Sequence, residues 1–467
     1  MLTYSFSDIG SESLYEYLYG CIKNDILSGK LRCGAKLPSK RTFAKNLGIS
    51  TITIENAYAL LISEGYVYSI PKKGYFVSDI NISAQASPQR TEDENERREE
   101  SFVADFAGNN TPHTLFPFAT WAKLMRSVLS ERQQELMIKS PGAGIAPLRS
   151  AIAEHLYQFR GMRVHPSQII IGSGTEYLYG LIIQLLGSDK IFAVEDPGYN
   201  KIAKVYGANG VDYRYIPLDE NGVAIEALRD SGAEILHISP SHHFPTGIVT
   251  PISRRYELLS WAAQSPKRFI IEDDYDSEFR LSGHPIPPLR SIDVTDKVIY
   301  MNTFSKSLAS TIRISYMVLP RTLADKFYKA LGFYSCTVST FEQYTLAEFI
   351  NGGYFGNHIN RIRRYYREER DELLKLIYSN KAFNGTEILE KDSGLHFLLR
   401  LDTELSDKAL ADSARRLGIN ISCLSEYYHN KSGAPEHTVV INYSGIEKEK
   451  IAGAVALLGK AIGGETE

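Results

Sequence analysis

The sequence lacks the features that would tie it to a disulfide framework or a membrane. Its four cysteines are too scattered for a disulfide pattern or a metal-ligand spacing. Its longest apolar run, 177–186, is too short to cross a bilayer, and no basic segment leading into an apolar run opens the chain. We therefore expect free thiols in the cytoplasm, with no metal site and no membrane partner. The cysteines are Cys21, Cys33, Cys336 and Cys423.

A strong charge of one sign is also missing. The net charge of −3 argues neither for nor against a nucleic-acid partner at the level of the whole chain. No internal repeat is present. At 467 residues the chain exceeds the usual size of one domain, and its 43% hydrophobic residues can support more than one core. Two or three domains are expected.

Residues 1–80 are predicted to form a small helical domain that ends in a β-hairpin. Apolar residues recur at helical spacing in three segments, and Ser39 and Ser50 are candidate helix caps. The short link at Gly48 joins the last two helices into a helix-turn-helix, and the hairpin would be its wing. The predicted elements are helices over 13–27, 39–46 and 50–63 and strands over 65–69 and 74–78.

This domain carries a basic stretch. Six basic residues and no acid occur between Lys30 and Ile54. The third helix is expected to lie in the major groove of double-stranded DNA, with the wing lysines near phosphates. From charge alone, a solvated basic face is an equal alternative. The candidate DNA contacts are Ser39, Lys40, Arg41, Ser50, Thr51, Thr53, Lys72 and Lys73.

Three stretches, 36–50, 53–66 and 73–77, resemble the winged helix of GntR-family transcriptional regulators. They include Lys-Leu-Pro-Ser-Lys-Arg at the start of the first stretch and Lys-Gly-Tyr-Phe-Val in the last. The likeness covers nearly all of residues 10–78 and implies binding to operator DNA. Thr51 departs from it, since the family often has an arginine after the capping serine. Phosphate contacts are therefore the safer prediction.

Residues 81–103 read as a linker. The segment is polar, rich in charge and poor in aromatic residues, a composition that cannot bury a core. We predict a flexible charged linker between the helical domain and the rest of the chain.

From residue 104 to 467 short apolar runs alternate with amphipathic helices. Runs that are apolar throughout are typical of strands buried on both faces, which predicts an α/β domain with a mainly parallel central sheet. A smaller C-terminal α+β domain should complete it. In such sheets ligands bind at the carboxyl ends of the strands. The predicted strands are 168–171, 190–194, 234–238, 269–272, 298–303 and 314–318.

A reactive lysine is predicted after the run 298–303. Ser305 and Lys306 follow that run directly, and Arg313 comes shortly afterwards. A lysine just past a buried strand can form a Schiff base with an aldehyde, because burial lowers its pKa and frees its lone pair. Ser305 and Arg313 could hold a phosphate. Taken alone, the pair Ser-Lys is more often a surface feature.

Two further strand ends offer a phosphate site and a flat ring. Gly174, Thr175 and Glu176 open a helix after the first strand, where free N–H groups and the helix dipole favour a phosphate through mainly backbone donors. Tyr199 follows the next strand and could cover a heterocycle, although a tyrosine packed in the core is the plainer interpretation.

The next two strand ends supply polar groups. His242 and His243 follow the third strand and are placed at the lip of the site. Asp273 could pair with a protonated pyridine nitrogen, and Tyr275 could hydrogen-bond a phenolate oxygen. Each also has a plain interpretation, as a helix cap, a core residue or a loop residue. A lysine, phosphate ligands and a carboxylate together predict a site for pyridoxal 5'-phosphate.

Residues 104–467 resemble the fold-type I pyridoxal-phosphate enzymes of the aspartate-aminotransferase group, and the fusion resembles the MocR-type subfamily of GntR regulators. The stretches that carry the likeness to that subfamily are 239–247, 272–279 and 302–306. The resemblance implies a homodimer. It also implies that Lys306 carries the cofactor as a Schiff base. The remaining implied contacts are Asp273 to the pyridine nitrogen, Tyr275 to the phenolate oxygen, Tyr199 against the ring, and Gly174, Thr175, Ser305 and Arg313 to the phosphate.

Three positions depart from amino-acid transaminases. Val440 stands where the resemblance puts an arginine for the substrate carboxylate, and Phe244 stands where an asparagine usually touches the cofactor. Ile138 and Lys139 stand where many relatives have a tyrosine. Without a bidentate guanidinium an α-carboxylate would be poorly held. An enzyme is therefore the weaker interpretation, unless Arg290, Arg363 or Arg364 replaces the lost arginine.

The sequence thus predicts a transcriptional regulator that depends on pyridoxal phosphate. The favoured effector is pyridoxal phosphate itself, with genes of vitamin B6 supply as targets. One alternative is a regulator that senses an amino compound through the Schiff base. Another is an active aminotransferase with an appended DNA-binding head.

Overall fold

The computed structural model describes residues 2–6, 13–80, 102–108, 111–281, 287–392 and 394–463. The chain divides into two compact units, Met1–Glu99 and Glu100–Glu467. Most of the predicted linker lies outside the described residues. Within the described ranges, no helix is long and apolar enough to cross a membrane.

The first unit, which we call the head, has three helices and a three-stranded antiparallel sheet of order β1-β3-β2. The two predicted helix caps are confirmed. Ser39 Oγ accepts a hydrogen bond from the Thr42 N–H at 3.2 Å, and Ser50 Oγ accepts one from the Thr53 N–H at 3.1 Å. Gly48 ends α2 at φ 69°, a backbone that glycine adopts without strain. The elements are α1 Leu14–Leu27, β1 Lys36–Leu37, α2 Lys40–Leu47, α3 Thr51–Ser63, β2 Val67–Ile70 and β3 Gly74–Val77.

The three predicted head helices are confirmed to within one residue, and the hairpin is confirmed to within two. The short strand β1, which pairs with β3, was not predicted because two residues leave no alternation to detect. Apolar side chains from all three helices form the head's core. They include Leu18, Ile22, Phe43, Ile54 and Tyr58, each with no exposed surface.

The second unit contains an eight-stranded sheet of order β5-β12-β11-β10-β9-β6-β7-β8. Strands β11, β10, β9, β6 and β7 run parallel to one another, whereas β12 is antiparallel to both β11 and β5. The strands are β5 Ile169–Gly172, β6 Phe192–Asp196, β7 Tyr213–Asp219, β8 Gly222–Val223, β9 Ile235–Ile238, β10 Phe269–Asp273, β11 Val298–Thr303 and β12 Ser315–Val318.

The predicted mainly parallel sheet is confirmed, and all six predicted strands are present. Strands β7 and β8 were missed because β7 contains the exposed residues Arg214, Pro217 and Asp219 and does not read as a continuous apolar run. The helices that follow these strands are α7 Thr175–Leu186, α8 Asn200–Ala208, α9 Ile225–Asp230, α10 Ile252–Ala263, α11 Leu289–Ile292, α12 Phe304–Ser307 and α13 Arg321–Ala330.

A smaller region of the second unit combines a four-stranded antiparallel sheet, of order β13-β14-β17-β16, with helices. It includes β4, which pairs in parallel with β15. Its strands are β4 Ala104–Asp105, β13 Glu387–Leu389, β14 His396–Arg400, β15 Ile419–Asn420, β16 Ser422–Cys423 and β17 Thr438–Asn442. The other α-helices of the unit are α4 Phe118–Glu131, α5 Gln133–Leu136, α6 Ala146–Arg160, α14 Thr340–Asn351, α15 Tyr354–Ser379, α16 Asp407–Arg416 and α17 Ile451–Ile462. Short 3-10 helices cover His113–Leu115, Pro166–Gln168, Ser277–Phe279, Lys381–Phe383, Leu424–Tyr427 and Lys448–Lys450.

Candidate functional site

A cavity of about 380 Å³ lies in the second unit, at the carboxyl ends of the central strands. Eight of the ten predicted cofactor-binding residues line it, while Gly174 and His242 do not. The parallel strand order explains why residues far apart in sequence meet here. The eight are Thr175, Glu176, Tyr199, Asp273, Tyr275, Ser305, Lys306 and Arg313.

Lys306 lies on α12, the four-residue helical turn that follows β11. Burial lowers the pKa of its ammonium group to about 8, although the negative charge of Asp276 acts to raise this pKa. A larger share of Lys306 is therefore an uncharged amine near neutral pH than in an exposed lysine. This is the chemistry that a Schiff-base lysine needs.

Asp273 ends strand β10 and is buried. Its Oδ2 accepts a hydrogen bond from Tyr179 Oη at 2.5 Å and lies 3.6 Å from His237 Nε2. Its Oδ1 is buried and has no partner among the described residues. Buried carboxylate oxygens normally have a donor. The open acceptor fits the protonated nitrogen of a pyridine ring.

Two residues behind Asp273 were missed by the sequence analysis. Burial raises the pKa of Tyr179 well above its usual value, so this phenol remains a donor. Tyr206 Oη lies 2.6 Å from His237 Nδ1, on the far side of the imidazole from Asp273. The position of Tyr179, four residues after Thr175 on α7, was the available signal, since such pairs share a helix face.

The predicted phosphate site is built around Arg313. Arg313 Nη2 donates to Glu176 Oε2 at 2.7 Å, and Lys201 Nζ donates to the other oxygen of the same carboxylate. A Cβ on Gly174 would lie 2.4 Å from Arg313 Nη2, so any larger residue would force the guanidinium to move. Thr175 begins α7, whose first N–H groups are free for an anion.

The prediction that Glu176 supplies mainly a backbone donor did not include its side chain, which binds Arg313 and Lys201. Burial opposes ionisation of this carboxyl, but hydrogen bonds and charge from Lys201 and Arg313 lower its pKa. The carboxylate therefore holds the two cations side by side. Lys201 was missed because a lysine two residues after Tyr199 reads as an ordinary exposed side chain.

The predicted position of the two histidines at the lip is wrong. Both are buried, and His242 lies outside the cavity lining. His242 Nδ1 lies 2.7 Å from Asp276 Oδ2, and Tyr275 Oη donates to the His242 carbonyl at 3.1 Å. His243 pairs with Thr246 at 2.7 Å, and burial lowers its pKa to about 3. Buried hydrogen-bond partners offset the cost of bringing both rings inside.

Glu195 is another buried acid that the sequence analysis missed. It lines the cavity next to Ser239, whose N–H donates to Glu195 Oε2 at 3.1 Å. Burial raises the pKa of Glu195 to about 8, so the carboxyl is largely protonated near neutral pH. In that form it can donate a hydrogen bond into the cavity as well as accept one.

The rim of the cavity is aromatic. Tyr199 is about half exposed, and its ring meets that of Phe244 edge-on at 6.0 Å. Val440 is buried with Leu398 and Leu424 in a small apolar cluster, against which Phe244 and other rim side chains pack. Arg313 is the arginine that lines the cavity. The replacements considered from the sequence, namely Arg290, Arg363 and Arg364, do not line it.

The predicted DNA contacts lie on the head. The hydroxyl oxygens of Ser39 and Ser50 accept hydrogen bonds as helix caps. Lys40 Nζ donates to Glu55 Oε1 at 2.6 Å. Arg41, Thr51, Lys72 and Lys73 are exposed, and Thr53 and Lys40 are partly so. These side chains occupy α2, the first turn of α3 and the wing, and they remain candidate contacts.

Two family matches account for the two units. Residues 103–457 match "Aminotransferase class I and II", and residues 14–77 match "Bacterial regulatory proteins, gntR family". The chain belongs to the MocR-type subfamily of GntR regulators. This membership confirms the predicted fold class, the DNA-binding regulator and pyridoxal phosphate as the cofactor.

Relatives match this MocR-type chain over almost its whole length. The HTH-type transcriptional regulator YdeL of Bacillus subtilis is 38% identical over 94% of both chains. "Probable rhizopine catabolism regulatory protein MocR" of Rhizobium meliloti is 29% identical over 93% of this chain and 90% of its own. The "HTH-type pyridoxine biosynthesis transcriptional regulator PdxR" of Corynebacterium glutamicum is 27% identical over 94% of both.

The second unit also matches solved structures. A multiple substrate aminotransferase from Thermococcus profundus superposes with a TM-score of 0.68 and 25% identity, over 79% of this chain and 92% of that one. In such a site pyridoxal phosphate supplies an aldehyde and a ring that withdraws electrons. The residues present fit it, because Lys306 would hold the aldehyde, Asp273 the ring nitrogen, and Arg313 with Lys201 the phosphate.

Proposed function

We propose that this MocR-type regulator responds to pyridoxal phosphate itself and controls genes of vitamin B6 supply. The observation that carries the proposal is a contrast between the cavity and the apolar cluster behind it. The cavity is lined by groups that suit the cofactor, whereas the place expected for a substrate-carboxylate arginine holds Val440, buried in a cluster against which the cavity residues Phe244 and Tyr427 pack. The cavity therefore favours the cofactor over an amino acid as the ligand it reports.

Three features of the cavity lining support a specific ligand. The Lys306 amine, with its pKa lowered to about 8, suits an aldehyde. The open Oδ1 of Asp273 suits a ring N–H. The cations Arg313 and Lys201, which bind Glu176 near the start of α7, suit a phosphate dianion. The phosphate would compete with Glu176 for these two cations. A compound lacking the ring N–H would leave the buried Asp273 Oδ1 unpaired, and one lacking the phosphate would lose the contacts with the half-exposed Arg313 and Lys201.

The aromatic rim of the cavity supports the choice of the cofactor over an amino acid as the ligand. Leu398, Leu424 and Val440 are buried together, and Phe244 packs against them. A carboxylate placed against Phe244 would lose its hydration without gaining a guanidinium from position 440. The name of the relative PdxR, which refers to pyridoxine biosynthesis, points in the same direction.

A signal from the cavity needs two arrangements of the protein. Pyridoxal phosphate would shift the heads only if it binds one arrangement more tightly than the other. We propose a homodimer of the second unit as the element with two arrangements. Met137, Ile138, Phe333 and Tyr334 leave large apolar surfaces exposed, two of them about 75%, on segments joined by the bridge between Pro141 and Ser335. Such a patch commonly marks an interface.

The deciding experiment is binding of the full-length protein to its own upstream DNA at fixed salt, with pyridoxal phosphate titrated in and no amine added. We expect affinity or footprint to change with the cofactor. Pyridoxal, which lacks the phosphate, and Lys306→Ala protein serve as controls and should give little change. DNA binding indifferent to pyridoxal phosphate would reject it as effector. A monomer by sedimentation, with and without DNA, would reject the dimer.

A second candidate is a regulator of an amino compound. The half-exposed Tyr199 leaves the cavity open to solvent, so an amine can reach Lys306. In that case a panel of amines, added at saturating pyridoxal phosphate, would change DNA affinity where pyridoxal phosphate alone does not. Spectral turnover with an amino donor and a keto acid would instead indicate a working aminotransferase.

A further inference from the structure

We infer that Ile52 reads the 5-methyl groups of thymine in the major groove of the operator. The inference rests on the proposed contact between α3 and DNA. Ile52 is 69% exposed, which makes it the most exposed large apolar side chain among the described residues of the head. Other apolar residues of the same helix, Ile54, Tyr58 and Leu61, have no exposed surface. The head's own core therefore gives no reason for an isoleucine here.

The position of Ile52 suits base contact. Ile52 is the second residue of α3, two residues after the Ser50 cap that starts the helix. Residues near the start of a recognition helix contact base edges in helix-turn-helix proteins. Thr51, Glu55 and Asn56 are exposed beside it, so this face of α3 points away from the core.

The charges around Ile52 indicate a nucleic acid and not an apolar protein groove. The chain from Lys30 to Ile54 holds six basic residues and no acid. On α3 itself Glu55 is engaged by Lys40 at 2.6 Å, which neutralises the acid nearest to Ile52 on this face. A lone exposed aliphatic side chain in a basic segment of the chain matches an apolar spot between phosphates.

The 5-methyl group of thymine is such an apolar spot in the major groove. It is the one apolar group that unmodified bases display in the major groove, and small apolar side chains recognise it by contact. Asn56 lies one helical turn after Ile52, and its amide suits the N6 and N7 atoms of adenine. We therefore expect A·T pairs under this face of α3.

The test removes the methyl groups and the side chain separately. The DNA upstream of the protein's own gene is synthesised with dTTP or with dUTP, so that the two fragments differ in the methyl alone. Wild type, Ile52→Ala and Ile62→Ala are titrated against each at one salt concentration and one cofactor concentration. Ile62 is a matched control, since it is 38% exposed near the other end of α3.

Wild type and Ile62→Ala should bind the uracil fragment about fourfold more weakly for each methyl contacted. Ile52→Ala should bind the two fragments alike, with an affinity near that of wild type for the uracil fragment. Equal binding of both fragments by wild type, or discrimination that persists in Ile52→Ala, would overturn the inference. Wild type that binds neither fragment, with or without pyridoxal phosphate, would overturn the proposed function and the inference with it. A salt-resistant dimer through α3, lost in Ile52→Ala, would indicate a second copy as the occupant of this face.

Discussion

Tyr179 Oη donates a hydrogen bond of 2.5 Å to Asp273 Oδ2, joining α7 to the end of β10. The bond occupies one oxygen of the carboxylate and leaves Oδ1 without a partner among the described residues. We therefore expect Tyr179 to hold Asp273 in place for the ring nitrogen of the cofactor. The relationship explains why a buried tyrosine lines a polar cavity.

Replacing Tyr179 with Phe should weaken binding of pyridoxal phosphate. Loss of a hydrogen bond to a charged group costs about 1.5–3 kcal/mol, which is roughly tenfold to a hundredfold in affinity. Absorbance titration with pyridoxal phosphate measures the change. Tyr206→Phe is the matched control, because Tyr206 contacts His237 and not Asp273, and its effect should be smaller. Equal affinities for wild type and Tyr179→Phe would contradict the role of Tyr179.

Lys306→Ala should abolish the adduct that borohydride traps with pyridoxal phosphate, because the reactive amine is gone. DNA binding of the cofactor-free protein should be unchanged, since the head carries the candidate contacts. Mass spectrometry of peptides from the reduced protein locates the adduct. Lys201→Ala, which removes the other lysine lining the cavity, should keep the adduct on Lys306 and weaken binding of the phosphate. An adduct on a different lysine in Lys306→Ala would disprove the assignment.

The reaction of Lys306 with pyridoxal phosphate should rise with pH around 8. Only the uncharged amine attacks an aldehyde, and burial lowers the pKa of Lys306 to about 8. The uncharged fraction is therefore small below that pH and nearly complete about two units above it. An exposed lysine would be half uncharged only at a pH of about 10.4. Initial rates of the absorbance change across this range give the midpoint, and a midpoint near that of an exposed lysine would contradict burial of the amine.

Gly174→Ala should damage both the phosphate site and the fold. Gly174 has φ 99° and ψ 161°, a conformation that is essentially restricted to glycine, and its new Cβ would lie 2.4 Å from Arg313 Nη2. We expect the free energy of unfolding to fall by about 1–3 kcal/mol and affinity for pyridoxal phosphate to fall as well. Gly180→Ala, within α7 and with nothing within 4 Å of its Cβ, should instead be neutral or stabilising. Denaturant unfolding compares the stabilities of the two variants, and similar unfolding curves would disprove backbone strain in Gly174→Ala.

The sequence by itself determined the local features of this protein. The boundaries of α2 and α3 follow from Ser39, Gly48 and Ser50, because a cap acts on N–H and C=O groups within four residues. Apolar runs predicted the strands of the sheet, and the residues that follow those runs predicted eight residues of the cavity lining. Such features were readable because each depends on neighbours in the chain.

Only the tertiary structure decided how these groups pair. The partner of Asp273 lies 94 residues away in Tyr179, and the partner of Arg313 lies 137 residues away in Glu176. Strand order brings such residues together, and no local pattern records it. The burial of His242 has the same cause, because its partner Asp276 lies in the loop that follows β10, the strand next to β9 in the sheet. The sequence thus determined which chemical groups the cavity contains, and the packing of the sheet decided which of them are paired and which are left for a ligand.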